Sequence, residues 1–238
     1  MQFTPGTIYL ADQRDLTETD QLNRWSTFNH GAYFDNERKP FGPLLTLNDE
    51  VLMPGQIANY RPGQNVWVVI IPVTGKVVYQ ISAGNELTVD VGQVYVKYVP
   101  AGDSFELCNT YEQDKINLLY IEFAAEGKQA DPGIARLYEF DLEGKHGQLI
   151  HITARNVSSI NNLPFTLHIG LFNGRGQTLY HMQDRENLFF AFAVAGAFEL
   201  QGRLMHQRDG LALWDLHQAD MEALSNNAVM LVMEIKKQ

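Results

Sequence analysis

Arg61 is the residue of this sequence whose type and position could do the clearest chemistry. It lies in a turn just before the apolar run Val66 to Val73. An arginine in a partly apolar cavity binds a carboxylate or phosphate through two parallel N–H···O hydrogen bonds. Flat walls for a stacked ligand would come from the rings of Trp67, Tyr98 and Tyr120. The alternative is a turn arginine that bonds a neighbour or lies in solvent.

The other side chains with ligating or catalytic chemistry are scattered. Metal sites need three or four converging ligands, and none of the seven histidines has partners at such a spacing. We interpret them as structural or surface residues: His30, His146, His151, His168, His181, His206 and His217. Glu106 shares a strand face with Cys108 and so points away from Phe105 and Leu107. No base lies near Cys108 in the sequence, which favours a buried, unreactive thiol.

Composition and charge exclude several classes of function. The 238 residues, 45% of them hydrophobic, are enough for one large or two small β domains. A formal net charge of -10 argues against binding a nucleic-acid backbone. No apolar run is long enough to span a bilayer, and no signal peptide is recognisable, so we expect no membrane partner. A single cysteine predicts a reducing, cytoplasmic location.

The segments that must position these residues have the pattern of short β-strands. The run Val66 to Val73 is rich in β-branched residues and bounded by glycine and proline, which predicts a buried strand. Val77, Tyr79 and Ile81 alternate on one face of the next strand. Asn48-Asp49-Glu50 is interpreted as a turn between two short strands. Strand-like segments at intervals of 8 to 12 residues continue to the C-terminus and predict an all-β protein.

An internal repeat divides the sequence. Gly55 to Gly75 aligns without a gap on Gly176 to Gly196, and each copy continues into an alternating strand and a turn glycine. Two copies of one β-barrel module are the simplest explanation. The stretch Ala124 to Gly133 has the composition of a linker. We therefore predict an N-terminal barrel with its arm at residues 1–130 and a C-terminal barrel at residues 131–238.

The first repeat resembles the cupin superfamily. The first cupin motif, G-x5-H-x-H-x3,4-E-x6-G, corresponds to Gly55, Arg61-Pro62-Gly63, Trp67 near the acidic position, and Gly75 one residue late. The second motif, P-x-G-x2-H-x3-N, corresponds to Pro100 through Asn109. The turn residues and the asparagine are present, whereas each metal ligand of the motif is replaced.

Within that superfamily, most of the chain resembles pirin and the quercetinase-like pirin homologues. In the first half the resemblance rests on Arg24-Trp25-Ser26-Thr27-Phe28, Gly31-Ala32-Tyr33, Phe41-Gly42 and Leu47-Asn48-Asp49-Glu50 ahead of Pro54-Gly55, and it continues through Asn109. In the second half it rests on Gly170 to Gly176 and Arg208 to Asp215. It implies a bicupin, that is, two jelly-roll-type β-barrels, with the N-terminal arm packed on the partner barrel. It also implies one iron-type metal in the N-terminal barrel, because such homologues usually bind iron or another divalent metal there.

Carried over by spacing, the family's metal ligands fall on Arg61, Gly63, Phe105 and Leu107. None of these side chains ligates a divalent metal as imidazole or carboxylate does, and the charge of Arg61 opposes a cation. The equivalent positions of the second repeat hold no ligand set either: Met182, Asp184, Leu188 and Ala223. We therefore expect no cofactor. The resemblance implies that the former metal site is a ligand pocket, and odd positions of one strand share a face there. The residues expected to line this pocket are Arg61, Gly63, Trp67, Tyr98, Phe105, Leu107 and Tyr120.

The preferred hypothesis is a metal-free bicupin that binds a small anionic or aromatic ligand, or a protein partner, in a regulatory role. A second hypothesis is a quercetinase-like dioxygenase that holds its metal through non-standard ligands. A third is a metal-free isomerase or lyase, which would need a general base in the pocket. No histidine or acid has the strand parity for that role, which favours a protein that is not an enzyme.

Overall fold

The computed structural model describes residues 4–29, 34–81, 84–125, 134–153 and 163–237. Within these residues the regular structure is β-strand apart from two short 3-10 turns, Ala11–Gln13 and Asn36–Arg38. The all-β fold class predicted from the sequence is confirmed. A helix with the length and apolarity needed to cross a membrane is absent from these ranges.

The strands are, in chain order, β1 (Gly6–Tyr9), β2 (Asp15–Glu18), β3 (Leu22–Ser26), β4 (Leu44–Leu52), β5 (Ile57–Tyr60), β6 (Val66–Thr74), β7 (Val77–Ile81), β8 (Asn85–Val89), β9 (Gln93–Val99), β10 (Phe105–Cys108), β11 (Ile116–Ala124), β12 (Ala135–Glu139), β13 (Ile150–His151), β14 (Phe165–Phe172), β15 (Gln177–His181), β16 (Leu188–Ala195), β17 (Phe198–Leu200), β18 (Arg203–Met205), β19 (Gly210–Leu213), β20 (Gln218–Ala223) and β21 (Ala228–Ile235).

The chain forms two compact units. The N-terminal unit comprises Asp15–Pro40 and Leu44–Glu139, and the C-terminal unit comprises Met1–Arg14, Phe41–Pro43 and Phe140–Gln238. Strand β1 pairs antiparallel with β19, so the N-terminal arm belongs to the C-terminal unit. The predicted boundary at residue 130 lies outside the described residues and stays a prediction.

Each unit consists of two sheets that enclose one core. In the N-terminal unit the sheets have the orders β12-β9-β6-β11-β4-β3-β2 and β5-β10-β7-β8. In the C-terminal unit they have the orders β1-β19-β16-β21-β14-β13 and β15-β20-β17-β18. Each sheet includes pairs of non-consecutive strands, as in a jelly roll. The predicted pair of cupin-type units is confirmed, although each unit is built of two sheets rather than one closed barrel.

Strand β6 is the apolar run that the sequence predicts to be buried, and its two faces differ in what they contact. Val66, Val68 and Ile70 belong to the core of the N-terminal unit. Trp67, between Val66 and Val68, points to the opposite face of the sheet, where its ring contacts Tyr98. The even-numbered residues of β6 therefore define the interior of this unit.

Strand β4 contradicts the prediction of a turn at Asn48-Asp49-Glu50. The strand is continuous from Leu44 to Leu52, and all three polar residues are buried within it. They are tolerated because they are hydrogen-bonded: Asn117 donates its side-chain amide to Asp49 Oδ1 at 2.6 Å, and Arg24 forms an ion pair with Glu50. A polar triplet that resembles a turn is thus the central part of a buried strand.

Candidate functional site

A stack of aromatic rings fills the interior of the N-terminal unit. Phe105 lies between Tyr60 and Tyr79, with ring centroids 5.2 Å and 5.1 Å away and interplanar angles of 8° and 25°. Tyr120 extends the stack beyond Tyr60, and Tyr95 extends it beyond Tyr79. The order of strands β5-β10-β7 produces this arrangement, since Phe105 is the direct cross-strand partner of Tyr60.

One end of the stack is closed by a buried ion pair. Glu50 is fully buried and accepts a hydrogen bond from Arg24 Nε at 2.6 Å and another from the Tyr60 hydroxyl. Arg24 also lies over the Tyr60 ring, 5.6 Å from its centroid. Burial and the charge of Glu50 raise the pKa of Tyr60 well above its ordinary value. Arg24 and Glu50 pair with each other, so they stabilise this end of the stack and do not provide a free acid and base.

A second carboxylate, that of the half-buried Glu122, belongs to the same interior face. Tyr120 donates its hydroxyl to Glu122 Oε1 at 2.5 Å, and Thr46 donates to Glu122 Oε2 at 2.8 Å. Burial and the charge of Glu122 raise the pKa of Tyr120. The hydroxyl of Tyr120 therefore stays protonated at neutral pH and is already used as a donor within the protein.

The other end of the stack opens into a cavity of about 160 Å³. Its walls are Tyr79, Ile81, Lys97, Tyr98, Val99, Pro100, Asp103, Ser104 and Phe105. The Tyr79 hydroxyl is buried, and no residue in the described part of the chain hydrogen-bonds to it. This cavity combines aromatic walls with the Lys97 cation, the Asp103 carboxylate and the unpartnered Tyr79 hydroxyl.

Lys97 faces this cavity because of its position on β9. Tyr95 and Val99, two residues before and after it, belong to the core, so Lys97 projects to the same interior side. Its direct cross-strand neighbours, Val68 and Ala135, are apolar. Burial lowers the pKa of the Lys97 ammonium, and the negative charge of Asp103 opposes that change. The lysine is therefore held in an environment that penalises its charge.

The predicted site residues divide into three groups. Phe105, Leu107 and Tyr120 lie in the core of the N-terminal unit, as their strand parity indicated. Trp67 and Tyr98 pack edge-on against each other, 5.6 Å apart, on the opposite face of the sheet. The structure thus contradicts the placement of Trp67 inside the barrel mouth, and Tyr98 reaches only the border of the cavity.

Arg61 and Gly63 also lie outside the interior. Arg61 is exposed and donates Nε to the carbonyl oxygen of Gly102 at 2.9 Å, while Gly63 faces open space. The sequence-based prediction assumed that the odd-numbered residues from Arg61 to Trp67 share one strand face. The turn at residues 61–65 interrupts the strand, so the alternation of faces in β5 does not continue into β6. Arg61 is a turn arginine bonded to a neighbour, which is the alternative stated above.

Several residues of the cavity were not identified from the sequence. Alternation in Gln93–Val99 separates Tyr95, Lys97 and Val99 from Val94, Val96 and Tyr98, but it does not say which set is interior. Lysine on a strand usually marks the solvent face. The only sequence signal for an interior Lys97 was the identity of its neighbours on the same strand face. Tyr95 and Val99, two residues before and after it, are aromatic and β-branched.

Glu106 and Cys108 agree with their predicted orientation away from the core. Neither belongs to the core that contains Phe105 and Leu107. Cys108 is buried, contacts Gln80 Oε1 at 3.2 Å, and has its pKa raised by burial and by Glu106. The thiol is held in its protonated, unreactive form.

The C-terminal unit contains a buried polar cluster of its own. Glu234 accepts hydrogen bonds from the Tyr180 hydroxyl at 2.7 Å, from Asn187 Nδ2 at 2.6 Å and from the backbone amide of Gln183. His151 and His168 are direct cross-strand partners whose rings stack 4.2 Å apart. The prediction that all histidines are isolated is wrong for this pair, because β13 and β14 bring together two residues 17 positions apart.

The positions that motif spacing equates with the family's ligands, in both repeats, form no metal centre in the described chain. No group of three or more His, Cys, Asp or Glu side chains in residues 4–29, 34–81, 84–125, 134–153 and 163–237 is arranged to hold a metal ion. In the second repeat, Asp184 donates its backbone amide to Glu234 at 3.2 Å and is part of the cluster described above.

Two jelly-roll units in one chain, each enclosing a core between two sheets, define a bicupin. Comparison with known proteins specifies the family. Residues 162–235 match the model of the quercetinase C-terminal cupin domain. Quercetin 2,3-dioxygenase of Escherichia coli K12 is 25% identical over 230 residues, covering 94% of this chain and 97% of that protein. The chain is thus similar over nearly its whole length to pirin-like and quercetinase-like cupins, in agreement with the resemblance seen in the sequence motifs.

Solved structures support the same fold. The crystal structure of YhhW from Escherichia coli superposes with a TM-score of 0.85 at 21% identity, covering 98% of this chain and 99% of that one. The bacterial pirin YhhW in complex with nickel(II) superposes with a TM-score of 0.83 at 20% identity and covers 98% and 100%. At these identities the superpositions establish the fold alone.

Proposed function

We propose that the N-terminal unit binds a small, single-ring anion in the cavity at Lys97, without a metal ion. The observation that carries this proposal is the combination of aromatic walls with the Lys97 ammonium and the unused Tyr79 hydroxyl. An aromatic ring gains from contact with Phe105 and Tyr79, and a carboxylate or phenolate gains from the nearby cation.

The size of the cavity limits the ligand. A volume of about 160 Å³ is close to that of engineered apolar cavities of about 150 Å³ that bind benzene. Sites for drug-sized ligands are larger, at roughly 300 to 1,000 Å³. The cavity therefore suits one ring with a short polar substituent, and a three-ring flavonol would require the walls to move.

The side chains do not fit a metal ion of the kind bound by family members. The four positions that carry the ligands in the family hold Arg61, Gly63, Phe105 and Leu107, which offer neither imidazole nor carboxylate. The nearby Tyr60 hydroxyl and the Glu50 carboxylate are bonded to each other and to Arg24. The donor set thus supports a metal-free role, and we derive no chemistry through a metal.

A second candidate is a quercetinase-like oxygenase. It is favoured by the relatives, since the two quercetin 2,3-dioxygenases of Escherichia coli strains align at 25% identity over 230 residues. The donor set and the small cavity count against it. Oxygen uptake with quercetin, measured after supplying iron, copper, nickel or manganese, separates the two candidates. Uptake above the protein-free rate, lost in heat-inactivated protein, would favour the oxygenase.

Ligand-induced thermal stabilisation tests the preferred proposal. A ligand that binds only the folded state raises the midpoint of unfolding. We expect benzoate to raise it and benzylamine, which has the same ring but a positive charge, to leave it unchanged. Lys97→Met should abolish the effect of benzoate, whereas Arg61→Ala should retain it. Equal responses to benzoate and benzylamine would contradict an anion site at Lys97.

Elemental analysis of tag-free protein tests the metal-free part separately. We expect no first-row transition metal near one equivalent per chain. One equivalent of iron, copper, nickel or manganese that survives dialysis would contradict it, whatever the outcome with benzoate.

A further inference from the structure

Lys97 has surroundings unlike those of a surface lysine. It is partly buried, lies between Val68 and Ala135 on the sheet, and lines a cavity whose other walls are largely apolar or aromatic. A lysine acts as a nucleophile only as the neutral amine, and desolvation in an apolar pocket favours that form. Burial indeed lowers the pKa of Lys97.

Two groups beside Lys97 can handle protons. Asp103 lies at the rim of the cavity, and its charge acts on both Lys97 and Tyr79. The Tyr79 hydroxyl is buried without a hydrogen-bond partner in the described chain, and burial together with Tyr95 and Asp103 raises its pKa. Tyr79 therefore remains a hydrogen-bond donor at neutral pH, while the carboxylate of Asp103 can accept a proton.

We propose that Lys97 is an amine nucleophile that forms an imine with a small aldehyde or ketone held in this cavity. The inference rests on the proposed function, because it uses the same cavity and the same limit of one ring. It adds a covalent step that anion binding alone does not require.

The step balances without an oxidant or reductant. The Nζ lone pair attacks the carbonyl carbon, a C–N bond forms, and the electron pair of the C=O π bond moves to oxygen. Oxygen takes one proton from the Tyr79 hydroxyl, and the amine loses one proton to Asp103, which gives a carbinolamine. Asp103 then returns its proton to the hydroxyl oxygen as the C–O bond breaks, so that water leaves and the nitrogen lone pair completes the C=N bond of a protonated imine. Transfer of the remaining N–H proton to the Tyr79 phenolate gives the neutral imine and restores both groups.

The titratable groups beside Lys97 include one carboxylate and two tyrosines with raised pKa values. Asp103 follows β9, Tyr79 projects from β7, and Tyr95 lies on β9 beside the Tyr79 ring. Burial raises the pKa of Tyr95 to about 12, so both tyrosines are neutral at pH 7. One cation and one anion then face each other, and the reactivity of Lys97 should increase as pH rises through the pKa of its ammonium.

Reductive trapping tests the proposal on the intact chain. The protein is incubated with benzaldehyde and cyanoborohydride at neutral pH, and the modified lysines are located by peptide mass spectrometry. We expect Lys97 to be modified about tenfold faster than the exposed Lys115, because the cavity holds the aldehyde next to the amine. Lys97→Arg should remove this fast modification, whereas the matched surface variant Lys115→Arg should leave it unchanged.

A second variant distinguishes a loss of reactivity at Lys97 from a loss of folding. Tyr79→Phe keeps the ring in the stack and removes only a buried hydroxyl that has no hydrogen-bond partner among the described residues, so its urea midpoint should stay close to that of the wild-type protein while trapping at Lys97 slows severalfold. Modification of Lys97 at or below the rate of Lys115 would overturn the inference. If benzoate still stabilises the protein in that case, the proposed binding function stands; loss of both results would refute both.

Discussion

Phe105 and Tyr60 stack almost face to face, with ring centroids 5.2 Å apart and planes inclined by 8°. Tyr60 is the direct partner of Phe105 on the neighbouring strand. Motif spacing equates Phe105 with a histidine ligand of the family, and in this chain that position belongs to a packed aromatic stack.

Phe105→Ala should both destabilise the protein and enlarge the cavity. Phe105 is 2% exposed, and truncating a buried phenylalanine costs about 3–5 kcal/mol. Urea denaturation measures that cost. Because Phe105 also borders the cavity, the variant should accept a two-ring anion such as 2-naphthoate, which the wild-type protein should not bind. A variant that loses stability but gains no response to 2-naphthoate would show that the cavity does not extend towards this ring.

Arg24 and Glu50 should be strongly coupled. The Glu50 side chain is fully buried and Arg24 is 15% exposed, so removing one partner leaves an uncompensated charge. Arg24→Met should lower the free energy of unfolding by about 3–5 kcal/mol. The double variant Arg24→Met with Glu50→Leu should lose less than the sum of the two single variants.

The exposed pair Arg185 and Glu186 provides the control for that cycle. Its atoms are 3.6 Å apart and both side chains are more than two-thirds exposed, at 69% and 67%. Arg185→Met should change stability by less than about 1 kcal/mol. Additive effects of the Arg24 and Glu50 substitutions would mean that Glu50 is held by its other partners rather than by Arg24.

The sequence predicted the strands more reliably than the site. Val66 to Val73 reads as a buried strand because composition and boundaries agree, and β6 has that form. Asn48-Asp49-Glu50 reads as a turn because its hydrogen-bond partners are distant in sequence: Arg24 lies 26 residues before Glu50, and Asn117 lies 68 residues after Asp49. Local propensity contains no information about such partners.

The site was mispredicted for a geometric reason. Motif spacing correctly brought Phe105 and Leu107 into the core, because both lie on one uninterrupted strand. The same spacing failed for Arg61, because a turn separates it from β6 and resets the alternation of faces. Lys97 was missed because alternation assigns residues to faces, while the identity of the interior face depends on the packing of the second sheet.

Arg61→Ala should be nearly neutral for stability. Arg61 is exposed and donates one hydrogen bond to the Gly102 carbonyl oxygen, so the loss of stability should be within about 1 kcal/mol. Urea denaturation of this variant beside the wild-type protein gives the measurement. A loss of several kcal/mol would show that the turn at residues 61–65 depends on this bond.

His168 should make stability fall on acidification. Burial and the neighbouring His151 lower its pKa to about 3 in the folded protein, against about 6.5 for an unperturbed histidine. Between these values the unfolded chain binds a proton that the folded chain does not, so stability is lost as pH falls from about 6.5 towards 3. Above that window His168 contributes no pH dependence.

The urea midpoint at pH 7.5 and at pH 5 measures this effect. His168→Gln cannot bind that proton in either state, so its midpoint should fall less between the two pH values than the midpoint of the wild-type protein does. The exposed His206 supplies the matched control, since His206→Gln should keep the wild-type pH dependence. If His168→Gln and His206→Gln show equal slopes, the stacked pair His151 and His168 is not the source of acid sensitivity.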